Sequence, residues 1–346
     1  MEILYILPVL LLTLPITTPS FYKRENWAGI LLCLGLAFLA WYLGQMLPLV
    51  GGPVLGILIG LIITNLWKNQ EAFTKGIKIS SKRVLQTAIV LFGFQMNLGK
   101  VFEMGRDSIV IILVVITVAF GVAIFAGKAL KIAHNEKMLI GIGTAICGGS
   151  AIAATAPVLS ASDKEVVRAI STIFLFNILA AFLFPILGRA MGMSDTMFGI
   201  WAGAAINDTS SVVAAGYVYS DTAGDVATIV KLTRTIMIIP LTLCIAFIRP
   251  KEGSSNHNFN ILKSFPWFVL AFLLASVINT TGIIPIEVTS FWGRMGRFLI
   301  ITAMVAIGFG CNIKELIKGG KRPIFLGFLC SLSVGIVALI LINTLD

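Results

Sequence analysis

The chain has 346 residues, of which 58% are hydrophobic and only 12% charged. A soluble globular domain carries about 25% charge, so this balance excludes an ordinary soluble enzyme, a disordered chain and a secreted disulfide scaffold. The net charge of +10 would suit nucleic acid, but Lys and Arg lie between apolar stretches rather than on one basic face. That distribution marks membrane topology, and no nucleic-acid partner is expected.

About twelve stretches approach the roughly 20 apolar residues that span a bilayer. In chain order they are 3–19, 27–46, 50–66, 83–98, 108–130, 138–160, 166–188, 196–218, 225–248, 264–283, 293–312 and 323–343. Met1 to Pro19 lacks a basic start, so it reads as a retained span rather than a cleaved signal. The sixth and eighth stretches are rich in Gly and Ser and read as broken or re-entrant. The expectation is an all-α polytopic membrane protein, one integral domain over 1–346, with about 10–12 transmembrane helices, some discontinuous. The loops after the odd-numbered stretches, with their flanking helix ends, hold 18 of the 26 Lys and Arg. That bias places the loop of Lys75, Lys78, Lys82 and Arg83 in the cytoplasm of a bacterial cell, whose inner membrane would house the protein.

The sequence repeats itself at an offset of 215. Thr87, Ala88, Val90, Gly93, Phe94, Asn97 and Gly105 recur as Thr302, Ala303, Val305, Gly308, Phe309, Asn312 and Gly320. The two copies sit on stretches that run in opposite directions. Repeat one is therefore placed at about 50–130 and an inverted repeat two at about 264–343, joined by linking spans over 138–248. Inverted repeats with discontinuous helices at the midplane mark secondary transporters.

Charges at membrane depth cost about 2.5–3.5 kcal/mol each on insertion scales, so each one asks for a reason. Lys231 and Arg234 are three apart in the ninth stretch and share one helix face. They suit a small anion, Lys as a point charge and Arg as a fork; the competing readings are a salt bridge to Asp208 or a pair reaching the interface. In the eighth stretch Asn207, Asp208, Thr209, Ser210 and Ser211 form a polar run, expected to be unwound and to line a cavity, with hydrogen bonding between helices by Ser and Thr as the alternative. Asp208 would carry a coupling proton or sodium ion, or neutralise Arg234. In the sixth, Thr144, Cys147, Gly148, Gly149 and Ser150 suggest a helix restarting within the membrane, whose N–H groups would cradle an anion; close packing of small residues is the alternative. Gln95, Asn97 and Asn312 would add amides at a crossing point; the alternative is a scaffold in which Gly93 and Gly308 only kink or pack the helices. Aligning Ser150 with Ser211 pairs further small residues, but these two stretches are expected to run parallel.

The run GTAICGGSAIAATAPV at 143 to 158, INDTSSVVAAG at 206 to 216 and the GF…N segment at 308 to 312 resemble the YeiH-type family of proposed sulfate exporters. The resemblance covers the chain from about residue 27 to the end. It implies a transporter fold similar to sodium/proton antiporters and bile-acid symporters, with crossing broken helices. The leading expectation is a secondary active transporter of a small anion, such as sulfate, a sulfonate or a carboxylate, working by alternating access. The alternative is a sodium or proton antiporter with Asp208 as the ion ligand. No cofactor or metal is expected beyond a coupling ion, and no enzyme activity, because no apolar stretch holds a His and only Asp208 suits an intramembrane aspartyl role. Small-residue faces are compatible with a homodimer.

Overall fold

The computed structural model describes residues 24–47, 51–67, 71–238, 240–241, 267–310 and 320–345. The first expected span, 3–19, and Asn312 lie outside the described residues. Every regular element among them is helical, and five helices have the length and hydropathy to cross a membrane. The protein is thus an all-α polytopic membrane protein, as its composition implies.

The helices are α1 (Arg24–Met46), α2 (Gly51–Leu66), α3 (Glu71–Ile79), α4 (Leu85–Gly93), α5 (Leu98–Ala129), α6 (His134–Ala145), α7 (Gly149–Thr155), α8 (Asp163–Ala190), α9 (Asp195–Ala205), α10 (Thr209–Tyr219), α11 (Asp221–Ile236), α12 (Trp267–Thr280), α13 (Ile286–Phe309) and α14 (Lys321–Leu345). A π-helical turn, Ser80–Val84, joins α3 to α4. The fourth expected span therefore starts about a dozen residues earlier than hydropathy suggests, because Lys75 and Lys78 ride on its exposed first turns.

The described residues fall into two compact units. The first draws on Met1–Phe102, Val213–Asp221 and Trp267–Ile313, the second on Glu103–Val212, Thr222–Pro266 and Lys314–Asp346. In the first unit α2 packs along α13, and α4 packs along α12. Gly93 backs onto the carbonyl of Phe272 and onto Ala275, while Gly308 backs onto the carbonyl of Ile57 and onto Gly60. Adding 215 to 57, 60 and 93 gives 272, 275 and 308, so the two contacts interchange under the offset seen in the sequence. Neither Gly93 nor Gly308 has room for a Cβ, which explains why glycine recurs there.

The second unit holds the first interrupted segment and, through Val212, the tip of the second. Asn135 hydrogen-bonds Glu165, Glu136 faces Arg168 at 3.9 Å, Gly143 packs on Ile173 and Gly148 lies beside Asn177. These contacts set α6 parallel to α8. The chain between Gly148 and Ser162 must therefore return to the level where α6 began, and Ile152 of α7 folds back against Gly143. Likewise Gly199 packs on Val226 and Gly203 on Val230, so α9 runs parallel to α11 and Thr222 lies at the level where α9 began. Both segments are re-entrant hairpins. Because α8 separates them, they enter from opposite sides, which corrects the expected parallel orientation of the sixth and eighth stretches. The tips meet: Asp208 Cβ lies 3.4 Å from the position a Gly148 Cβ would take. The correction also moves Lys164 and Arg168 to the side that carries Lys128, Lys131 and Lys137, which strengthens the charge bias.

Candidate functional site

The tip of the first hairpin is Ile146, Cys147 and Gly148. Gly148 adopts φ +67° and ψ −131°, a conformation open to glycine and strained for other residues. Its N–H closes back on Gly143 O at 2.9 Å. No side chain caps the start of α7, Gly149 has open space where a Cβ would stand and Ser150 is exposed. Cys147 is buried, and the Thr144 hydroxyl is satisfied by Ile140 O at 2.9 Å.

The second tip is Ile206, Asn207 and Asp208. Asp208 caps α10, accepting from Ser210 N at 3.0 Å and from the Ser210 hydroxyl. Thr209, Ser210 and Ser211 are buried at the start of α10. Asn207 Nδ2 reaches Ser331 Oγ on α14 at 3.4 Å, and its Oδ1 is buried without a partner.

Each tip is preceded by a helix whose last carbonyls have lost their intrahelical donors, and these carbonyl ends carry partial negative charge. Lys231 and Arg234 of α11 meet them. Both are fully buried. Lys231 Nζ donates to Ile146 O at 2.6 Å, to Ile206 O at 3.0 Å and to Asn207 O. Arg234 Nε donates to Ala145 O at 2.6 Å, Nη1 to Ala204 O at 2.5 Å and Ile206 O at 3.4 Å, and Nη2 to Thr144 O. The two cations thus cap the C-terminal ends of α6 and α9 together.

This placement changes how the pair acts. Lys has three N–H donors, and all three have carbonyl partners. The expectation that Lys231 and Arg234 hold an anion by direct hydrogen bonds gives way to backbone capping, with their charge as their remaining contribution. No ion pair joins either cation to Asp208 among the described residues. Thr144, Cys147, Gly148, Gly149, Ser150, Asn207, Asp208, Thr209, Ser210, Ser211, Lys231 and Arg234 all gather at the meeting tips. Asn97 belongs to the first unit, where its Oδ1 accepts from Gly99 N at 2.8 Å and caps α5. Gln95, also in that unit, covers Gly293.

Asn177 of α8 was not legible as a site residue. It is 2% exposed, its amide nitrogen lies 3.4 Å from the position of a Gly148 Cβ, and its Oδ1 has no partner. Its one sequence signal is an amide inside the apolar run FLFNILAAFLF. Ser331 has no signal stronger than a serine in a span.

The family model described as "Conserved hypothetical protein 698" matches residues 28–327. Relatives named as UPF0324 membrane proteins cover nearly the whole chain. One from Fusobacterium nucleatum is 45% identical over 331 residues, which is 90% of this chain and 96% of the relative. One from Streptococcus pyogenes serotype M6 is 46% identical over 322 residues, 90% and 95% of the two chains. One from Streptococcus agalactiae serotype V is 44% identical over 324 residues, 91% and 96%.

Proposed function

The chain belongs to the conserved hypothetical protein 698 family, and with that membership and the buried cation pair as premises we propose that it is a secondary active transporter of a small anion. The observation that carries the reading is the charge count at the meeting tips. Lys231 and Arg234 are both fully buried, and among the described residues Asp208 is the one carboxylate at the tips. Even with Asp208 ionised, one positive charge is left over on side chains that are themselves fully buried. The negative ends of α6 and α9 are balanced by the positive starts of α7 and α10, so the surplus remains. Burying an unbalanced charge is costly, and an anion arriving at the tips removes the imbalance. The uncapped start of α7 at Gly149 and Ser150 supplies N–H groups on the open side of the tip.

Sulfate, a sulfonate or a carboxylate fits this chemistry, and a bacterial inner membrane fits the charge bias of the loops. Transport would proceed by alternating access, the two hairpins exposing the tips to one side and then the other. The test is anion flux into liposomes containing the purified protein, with sulfate, methanesulfonate, acetate and chloride compared. Saturable flux of one oxyanion, abolished in Asp208→Asn or Gly148→Ala, is expected. Proton or sodium flux with no dependence on any of these anions would overturn the reading and favour Asp208 as the ligand of a cation antiporter.

A further inference from the structure

The carbonyl oxygens of Ile146, Ile206 and Asn207 converge on one point. They come from two hairpins that enter from opposite sides, and none belongs to the helix that supplies their partner. Unwound carbonyls and helix C-terminal ends at the midplane are the donor set from which transporters build monovalent-cation sites. Here that point is occupied by Lys231 Nζ, 2.6 Å from Ile146 O and 3.0 Å from Ile206 O. The side chain is fully buried, and its stem comes from α11, so the positive charge cannot diffuse away. Arg234, one turn further along α11, blocks the adjoining carbonyls of Thr144, Ala145 and Ala204 in the same way.

We propose that Lys231 is a tethered cation that fills a sodium-type site between the hairpin tips. The protein then binds no sodium there, and both its folded state and its anion transport are independent of sodium. The carbonyl cluster becomes a true cation site only when the lysine is shortened. The proposal rests on the same tips as the transport reading but makes a separate claim, about which ion the site takes besides its anion.

The experiment compares the thermal midpoint and the anion flux of the wild-type protein and Lys231→Ala in sodium, potassium, methylammonium and choline chloride at constant ionic strength. The wild type is expected to give the same midpoint and flux in all four salts. Lys231→Ala is expected to be less stable in choline and to recover saturably with sodium or methylammonium, which can enter the space left by the ammonium. A wild-type midpoint that climbs saturably with sodium over choline overturns the proposal. So does a folded Lys231→Ala that ignores every cation. If Lys231→Ala cannot be recovered in any salt, the wild-type comparison decides alone. Sodium-independent stability without any anion response would end the transport reading and keep this one; anion flux that requires sodium would do the reverse.

Discussion

Lys231 and Arg234, one turn apart on α11, divide between them the carbonyl ends of two helix stubs that reach the membrane interior from opposite sides. Lys231 takes Ile146, Ile206 and Asn207, and Arg234 takes Thr144, Ala145 and Ala204 and reaches Ile206 at 3.4 Å. One helix face thus fixes both hairpin tips, which makes α11 the element on which the site depends.

Arg234→Ala should therefore be among the most damaging single changes in the protein. It strips the donors from three carbonyls that have no water to turn to, each orphan costing about 1–3 kcal/mol. Arg234→Lys should recover only part of the loss, because an ammonium lacks the planar fork that reaches both stubs at once. The midpoint of thermal unfolding in detergent checks this: the expected order is wild type, then lysine, then alanine. An alanine variant as stable as the wild type would remove the capping account.

Gly148→Ala tests the first tip alone. At φ +67° a Cβ is strained by about 1–3 kcal/mol, and it would also stand 3.4 Å from Asn177 Nδ2 and from Asp208 Cβ. The expected result is a lower midpoint together with weaker anion binding, read as a smaller stabilisation by the preferred oxyanion. Asn177→Ala should leave the backbone of the tip unstrained and lower binding more than stability. If Asn177→Ala matches the wild type in both, Asn177 plays no part in the site.

Much of this was legible in the sequence, and what was missed follows a pattern. Polar residues inside apolar stretches, such as the run from Asn207 to Ser211, announce unwound backbone because lipid does not tolerate them. Hydropathy cannot tell whether a broken stretch continues across or turns back, because a hairpin with two arms of about a dozen residues has the same total apolar length as a full span. That is why 138–160 and 196–218 read as broken or re-entrant without the sequence deciding between the two. The direction of action of Lys231 and Arg234 was hidden for a related reason. Their partners are backbone carbonyls, which every residue carries, so no side chain in the sequence advertises them. The cap that Asn97 makes was hidden too, because an amide in a GF…N segment serves a helix cap as readily as a ligand.

The root of the first hairpin carries two carboxylates that should respond to pH with opposite sign. Ser162 and Glu165 form a reciprocal cap at the start of α8, and the backbone N–H of Ser162 holds the Glu165 carboxyl below its ordinary value. Its contribution to stability is present above the ordinary carboxylate value and is lost as pH falls through the lowered one. Burial pushes the Glu136 carboxyl above its ordinary value, partly offset by Arg168, with Glu165 adding to the rise. Glu136 therefore favours the folded state at low pH and loses that advantage as pH rises through the raised value. Glu136→Gln should stabilise the protein most near neutral pH, with the gain shrinking as pH falls through the raised value and gone below the ordinary carboxylate value. Glu165→Ala should cost about 0.3–1 kcal/mol near neutral pH, and less in acid. Unfolding midpoints measured from pH 4 to pH 8 check both, and parallel curves for the two variants would contradict the assignment.

The hairpins themselves can be tested by labelling from each side of a membrane. On a cysteine-free background, single cysteines at Asn135 and Ser162 should react with an impermeant maleimide from the same face, because α6 and α8 start at the same level. Cysteines at Asp195 and Thr222 should react from the opposite face, because α9 and α11 also start together and α8 lies between the two pairs. All of these positions but Asn135, which is partly shielded, are exposed in the structure, so reactivity reports sidedness rather than burial. A continuous sixth span would put Ser162 opposite Asn135, and a continuous eighth span would put Thr222 opposite Asp195. Either pattern would dissolve the meeting of tips on which Lys231 and Arg234 act. The expected pattern, two pairs on two faces, requires that both breaks be turning points and that the carbonyl ends they expose face each other across α11.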